Sequence, residues 1–324
     1  MKVVKTIDAE GVVLCQDITK IVKGKFKGAA FSKGYQVKAE DIPVLLSLGK
    51  EHLFLRSESS KLIHENEAAE ILYHLIASDS MQPTSVSEGK IEVVAKVDGL
   101  LKVDKELLFK LNSIEKIAIA TLKNNQKVSA GQKLAGTRII PLEIEPEKLL
   151  EAENVIGCES VLTLIPFKPV TIGIVTTGSE VFNGLIKDTF TSVVEEKLSH
   201  YSTVTIKFHK IVNDDPNLIT AAINQMLIAG ADIVLCTGGM SVDPDDRTPL
   251  AIKQTGAEII SHGTPVLPGS MLLLAYLDGK TIMGLPGGVM FSERTVFDLL
   301  LPRIIAQDKI TKAEIAHLGY GGYL

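Results

Sequence analysis

The sequence predicts an α/β protein: a three-layer α/β/α domain on a mostly parallel sheet, preceded by a smaller β-rich α+β N-terminal region. Three observations lead there. From Val170 onward, short apolar runs alternate with amphipathic stretches, as a parallel sheet with helices on both faces requires. Between Lys90 and Ile144 strand-like text is broken by turn signals, DG at 98–99, NN at 124–125, AGQ at 130–132 and AGTR at 135–138, which reads as a small β-rich domain. And 324 residues, 45% of them hydrophobic and 23% charged, exceed one ordinary core while remaining globular in composition.

The elements follow in order. AEDIPVLLSLG (39–49) reads as a short helix stopped by Gly49. HENEAAEILYHLIA (64–77) is a stronger one, with Ala68, Ala69, Leu72, Leu75 and Ile76 on one side. EIEPEKLLEAENVI, from Glu143, runs helical toward the second half and serves as the expected connector. VTIGIVTT (170–177) is a buried strand, 189–199 has helical spacing in Val193, Val194, Lys197 and Leu198, and VTIKFHKI (204–211) alternates as a strand does. Asp215-Pro216 opens a helix, since Asp caps and Pro suits the first turn; Leu218, Ile219, Ala222, Ile223, Met226 and Leu227 form its apolar face. ADIVLC (231–236) is the next strand, 247–255 a helix ended by Gly256, 258–261, 271–277 and 280–285 strands, and 292–300 a helix. The boundaries drawn are 1–80 for an N-terminal α+β segment, 81–145 for the β-rich domain, 146–167 for the connector, 168–310 for the α/β/α domain and 311–324 for a tail.

Charge and composition narrow the function. A net charge of −5 lacks the basic excess of a duplex nucleic-acid binder. Cys15, Cys158 and Cys236 are odd in number, far apart and without a CxxC, which excludes a disulfide framework or zinc ribbon and suits a reducing compartment. The N-terminus carries no sustained apolar segment, and no window approaches about 18 apolar residues, so neither a signal peptide nor a membrane span is expected and the cytoplasm is. GxSxG, GxxxxGK[ST] and GxGxxG are all missing, which disfavours classical hydrolases, P-loop enzymes and nicotinamide enzymes.

The chemistry concentrates in loops. TTGSE, TGGMS and LPGG each follow an expected strand, and ligands in such sheets bind beyond the strands' carboxyl ends. Gly178, Gly238, Gly239, Gly287 and Gly288 could offer backbone N–H groups to an oxyanion, although any one of them also serves plain turn geometry. In VDPDD, three aspartates (Asp243, Asp245, Asp246) crowd into four positions. Such carboxylates repel unless solvated, protonated or holding a cation, and Mg²⁺ is commonly held by one or two carboxylates plus phosphate. Asp246 is the better candidate; Asp243 and Asp245 are equally readable as solvated or capping residues. Glu180 and Asp188 form a second acidic loop, and Asp214 and Asp215 a third, with Asp215 read as a cap. His200, His209 and His262 are scattered and read as surface or satisfied positions.

TTGSEVFNGLIKD, IVNDDPNLI, TGGMSVDPDDRTP, VLPGSM and GLPGG together resemble, in order and spacing, the molybdopterin-binding domain of molybdenum-cofactor biosynthesis proteins. The likeness is to the MoeA-type molybdopterin molybdenumtransferases and, more loosely, to the MoaB/Mog-like adenylyltransferases. It covers about 168–306 well and extends weakly to EGVVLCQDI and FKGAAFSKGY. The resemblance implies a transferase that inserts molybdate into adenylylated molybdopterin with Mg²⁺ and releases AMP, and it implies a homodimer in which one subunit's N-terminal segment completes the other's pocket. It places Thr177, Gly178, Ser179, Thr237, Gly238, Gly239, Ser241, Asp214, Pro286, Gly287 and Gly288 around the molybdopterin, Asp246, Glu180 and Asp188 in catalysis, and Asp246 with Asp243 at the metal. Departures accompany it. The family's KPGKP is LPGSM here, so Leu267 and Ser270 stand where cations do; LPGNP is LPGGV; the glycine after SV is Asp243; and Lys33 occupies an acidic position. Lys33 or Arg138 could replace the missing charge. Two further readings stay open: a non-catalytic molybdopterin carrier or sensor, and a nucleotide pyrophosphatase of related fold.

Overall fold

Strand Val170–Thr177 shows why the second half folds as it does. Val170, Ile172 and Ile174 enter one hydrophobic core and Val175 the other, so the strand is covered on both faces and has no polar side to expose. Ile233–Thr237 divides in the same way, Ile233 and Leu235 to one core and Val234 and Cys236 to the other. In the computed structural model, which describes residues 2–55, 61–243 and 246–322, these strands centre a six-stranded sheet. Its order is Val204–Val212, Val170–Thr177, Ile233–Thr237, Lys280–Leu285, Leu273–Leu277 and Glu258–His262. The first four strands pair in parallel; Leu273–Leu277 alone runs antiparallel to its neighbours. It joins Lys280–Leu285 through Asp278-Gly279, both at positive φ (49° and 80°), the turn that matches strand twist in a two-residue hairpin.

Helices Phe190–Ser199, Val296–Ile305 and Lys312–His317 cover one face, and Pro216–Ile228 and Thr248–Gln254 the other. The result is the expected three-layer α/β/α arrangement. Asp215 caps Pro216–Ile228 by accepting from the Asn217 N–H at 2.8 Å. The last long helix starts at Val296 rather than near 292, because Thr295 and Asp298 form a capping box there while Gly287–Met290 turns as a 3-10 helix. Residues 312–317, expected within a tail, form a helix whose Ile315 is buried.

Residues 165–324, with 98–100 and 125–127, make up this unit, and the remainder of 1–164 makes up another. The other unit has two cores. Ala9, Leu14, Ile18, Val37, Leu45 and Leu53 build a small one. The larger lies under an antiparallel sheet ordered Met81–Pro83, Lys90–Ala95, Lys133–Ile139 and Ile117–Thr121. Helix Glu65–Ile76 packs there through Ala68, Ala69, Leu72 and Ile76. Residues 146–164, expected as a connector, belong to this unit, and helix Pro146–Ile156 buries Leu149, Ala152 and Ile156 in its core. AGTR, expected as a turn, lies inside strand Lys133–Ile139, held between two neighbouring strands. Helix Lys105–Asn112, capped by Asp104, was not anticipated within the β-rich stretch.

Candidate functional site

Strand order locates the site. Val204–Val212 lies on one side of Val170–Thr177 and Ile233–Thr237 on the other. The chain therefore leaves the two central strands in opposite directions, which makes their carboxyl ends the switch point where such sheets hold ligands. Thr176 pairs with Thr237 in register, which sets the TTG and TGG loops side by side.

Hydroxyls and glycines knit the two loops. Thr177 Oγ1 lies 3.2 Å from Thr248 Oγ1, the Thr248 hydroxyl donates to the Gly238 carbonyl at 2.9 Å, and the Thr248 N–H donates to the Gly239 carbonyl at 3.2 Å. Gly238 and Gly239 sit at φ +87° and +56°. A Cβ on Gly238 would strike the Thr177 carbonyl, and one on Gly239 would lie 2.8 Å from Thr248 Oγ1. Only glycine meets both demands. Met240 then packs on Gly284 of the adjacent strand, tying the loop to the sheet. Thr237 is fully buried, and its hydroxyl has no hydrogen-bond partner among the described residues, an unmet polar group beneath the paired loops.

The acidic residues separate into different roles. Asp214 Oδ2 accepts from the Ser179 N–H at 2.7 Å and the Ser179 hydroxyl at 2.8 Å, joining the NDDP loop to the start of the short helix Ser179–Phe182. Glu180 is exposed, with its Oε2 3.9 Å from where a Gly178 Cβ would stand. Asp246 is half-buried two residues before Thr248; its Oδ2 accepts from the Asp243 N–H at 3.2 Å, and its own N–H donates to the Asp243 carbonyl at 3.0 Å. Ser241 and Asp243 are exposed in that loop, and Asp245 falls outside the described residues. Pro286, Gly287 and Gly288 continue the same edge, since Leu285 pairs with Thr237. A Cβ on Gly287 would meet nothing, and one on Gly288 would make ordinary contact with Pro268 at 3.5 Å. Neither residue has a positive φ, so the backbone there does not demand glycine.

Asp188 is committed to the protein. Its Oδ1 accepts from the Phe190 and Thr191 N–H groups, both at 3.0 Å, capping helix Phe190–Ser199. Its Oδ2 accepts from the hydroxyls of Thr176 and Thr191, with His209 Nε2 3.7 Å away. Burial pushes this carboxyl up, but hydrogen bonds from Thr191, Thr176 and Phe190 outweigh it and hold the pKa below the usual aspartate range. Sequence reasoning missed Thr176, Thr191, Thr248 and His209, whose importance appears only when the strands are paired. The Thr-Pro opening of helix Thr248–Gln254 is the one local signal that pointed at Thr248. Among the described residues no three or more His, Cys, Asp or Glu are grouped to hold a metal ion.

The switch point of a mostly parallel sheet, with two glycine turns set side by side at its strand ends, defines a doubly wound α/β domain. Comparison with known proteins is specific. Residues 173–306 match the family described as a probable molybdopterin binding domain, as the five motifs led one to expect. Residues 3–56 match a domain family of unknown function. The chain is similar to a molybdopterin molybdenumtransferase of Staphylococcus epidermidis, 23% identical over 266 residues that cover 78% of this chain and 62% of the relative. One from Staphylococcus aureus is 23% identical over 290 residues, 86% of this chain and 63% of the relative. The chain thus spans 62–63% of the length of these curated relatives. Among solved structures, the molybdopterin biosynthesis enzyme MoaB of Thermus thermophilus aligns at 21% identity over 43% of this chain and 98% of its own, with a TM-score of 0.36. The MoeA protein of Pyrococcus horikosii aligns at 15% identity over 79% and 82%, with a TM-score of 0.34.

Proposed function

We propose that this chain is an enzyme of molybdenum-cofactor biosynthesis that binds adenylylated molybdopterin at the switch point, accepts molybdate and releases AMP. The observation that carries the reading is the meeting of Thr177, Gly238, Gly239 and Thr248 at the sheet's switch point. In this reading the N–H groups of the Gly238 turn receive a phosphate, with the helix behind them adding positive potential, while the buried Thr177 and Thr248 hydroxyls, spent on each other and on the Gly238 carbonyl, hold that turn in shape. Asp214 fixes Ser179 and hence the rim beside Gly178. Glu180, an exposed carboxylate beside Gly178, moves a proton in this reading, and open space at Gly287 admits the ligand.

Mg²⁺ fits this donor set only with help from the substrate. Asp246 has one carboxylate oxygen engaged by the Asp243 N–H and one remaining, which suits an ion held by one or two carboxylates plus phosphate oxygens. Asp246 and Asp243 would hold it. When bound, the ion would offset negative charge on the phosphoanhydride. Asp188 then serves to position the first loop through Thr176 rather than to touch substrate.

Purified protein given adenylylated molybdopterin, molybdate and Mg²⁺ should release AMP, and Asp246→Asn should reduce the rate at least about a hundredfold. AMP no higher than in a protein-free blank rejects the enzyme. A second reading, a carrier that binds molybdopterin without turnover, is favoured by exposed Leu267 and by Ser270 in a loop where relatives are expected to carry cations. It predicts binding that survives Asp246→Asn and needs no metal.

A further inference from the structure

The unit that contains the N-terminal half carries a cavity of about 560 Å³ on the solvent side of its four-stranded sheet. That volume lies within the usual range for small-molecule sites. Ala118 and Ala120 contribute only methyl groups to its lining and Gly136 none, so the sheet surface there is shallow. A Cβ on Gly136 would approach only the Ile91 carbonyl, at 4.0 Å. Lys90, Lys133 and Arg138 stand around this floor, with Glu92 as the one carboxylate among the described lining residues. Glu92 is already engaged by Lys90 at 2.9 Å and by Lys133. Its pair of lysines, Lys133 foremost, holds its carboxyl below the usual range, so it stays charged and bound. Arg138 is exposed and, among the described residues, donates from Nε to the neighbouring Ile139 carbonyl; its charge also acts on the Glu65 carboxylate. Among the described residues of the rim, three cations stand against Glu92, with Glu65 acting on Arg138 from outside it, and the rim keeps a positive excess.

The edge of the sheet argues against an added peptide strand. Ile117–Thr121 is the outer strand. The outward N–H and C=O of Ile119 are taken by the side chain of Asn112, at 2.8 and 2.9 Å. An incoming strand would find that pair of groups closed. What remains is a shallow apolar floor with a guanidinium and two ammonium groups at its margin. Such a surface suits a planar ring stacked on the sheet with its acid group at Arg138.

We propose that this trough is a second binding site, for a small planar aromatic anion carrying a carboxylate or a phosphate. It is independent of the switch-point site in the other unit. The full chain would be titrated with naphthalene-2-carboxylate, 2-naphthyl phosphate and uncharged 2-naphthol, reading probe fluorescence and two-dimensional amide spectra. Both anions should saturate and bind at least about tenfold more tightly than naphthol, one charge-assisted contact's worth. A preference for the carboxylate or for the phosphate then identifies which acid group the rim takes. Arg138→Gln should weaken either anion about tenfold. Ala120→Leu, which fills the floor without changing charge, should weaken anion and naphthol alike, while Asp246→Asn should change neither. Both trough variants should melt as the parent does, since both positions are exposed. Naphthol binding as tightly as the anions, no saturation at millimolar probe, or full affinity in Ala120→Leu each overturns the proposal.

Discussion

Thr177 and Gly238 belong to different strands' loops, yet a Cβ on the second would strike the carbonyl of the first. Gly238→Ala should therefore lower stability by about 2 kcal/mol through strain at positive φ and a backbone clash. Gly287→Ala, in open space without positive φ, should stay within about 0.5 kcal/mol. Denaturant titrations of the two variants test this contrast, and equal effects would show that the TGG turn is not the strained one. Asp188 gives a pH-dependent counterpart. Its folded pKa is depressed, so its stabilisation is present above the unfolded value and is lost as pH falls through the folded one. Asp188→Ala should cost roughly 2 kcal/mol at pH 7, with the gap to the parent closing below about pH 4. A gap that persists unchanged at pH 2 would mean the carboxylate's charge contributes nothing. Asp188 could be found in the sequence as an acid near a strand end, but its partners could not. Thr176 and Thr191 donate to it from a strand and a helix, and His209, bonded to Thr176 from a second strand, stands 3.7 Å away.

Adjacent aspartates in NDDP act on different elements. Asp215 caps helix Pro216–Ile228, while Asp214 reaches across to Ser179 and the short helix Ser179–Phe182. Asp215→Ala should cost about 1 kcal/mol of stability and leave ligand affinity alone. Asp214→Ala should melt nearly as the parent does and lose about tenfold in affinity for a pterin phosphate, since it loosens a rim and not a core. Paired melting curves and binding isotherms would reveal an exchange of these roles, which the structure forbids. Elements with a covered face were legible: the alternating run 204–211, the apolar stripe of 216–228 and the buried run 170–177 all formed where periodicity put them. AGTR was not. Glycine beside alanine resembles a turn locally, and only pairing on both sides makes it the middle of a strand. The helix at 105–112 was hidden because its short amphipathic run sits between strands, although Asp104 offers a cap.

At the scale of the whole molecule, the proposed chemistry needs the loops to act together on a cation and a phosphate. EDTA should abolish AMP release and Mg²⁺ restore it, while potassium-rich buffers without divalent ions should not. AMP release that persists in EDTA would remove the metal from the reading and leave the Gly238 turn and its hydroxyls alone. The amino-acid sequence determined the α/β/α class, the strand-end glycine loops and the likeness over 168–306, because each depends on periodicity or on residue types at fixed spacing within one segment. Tertiary structure decided which loops meet, that Asp188 is a half-buried cap in a threonine–histidine network, that Thr248 bridges two turns, and that a cationic trough lies on the other unit's sheet. Those facts depend on strand order and on side chains from distant segments sharing a few ångströms, and local pattern carries no record of either.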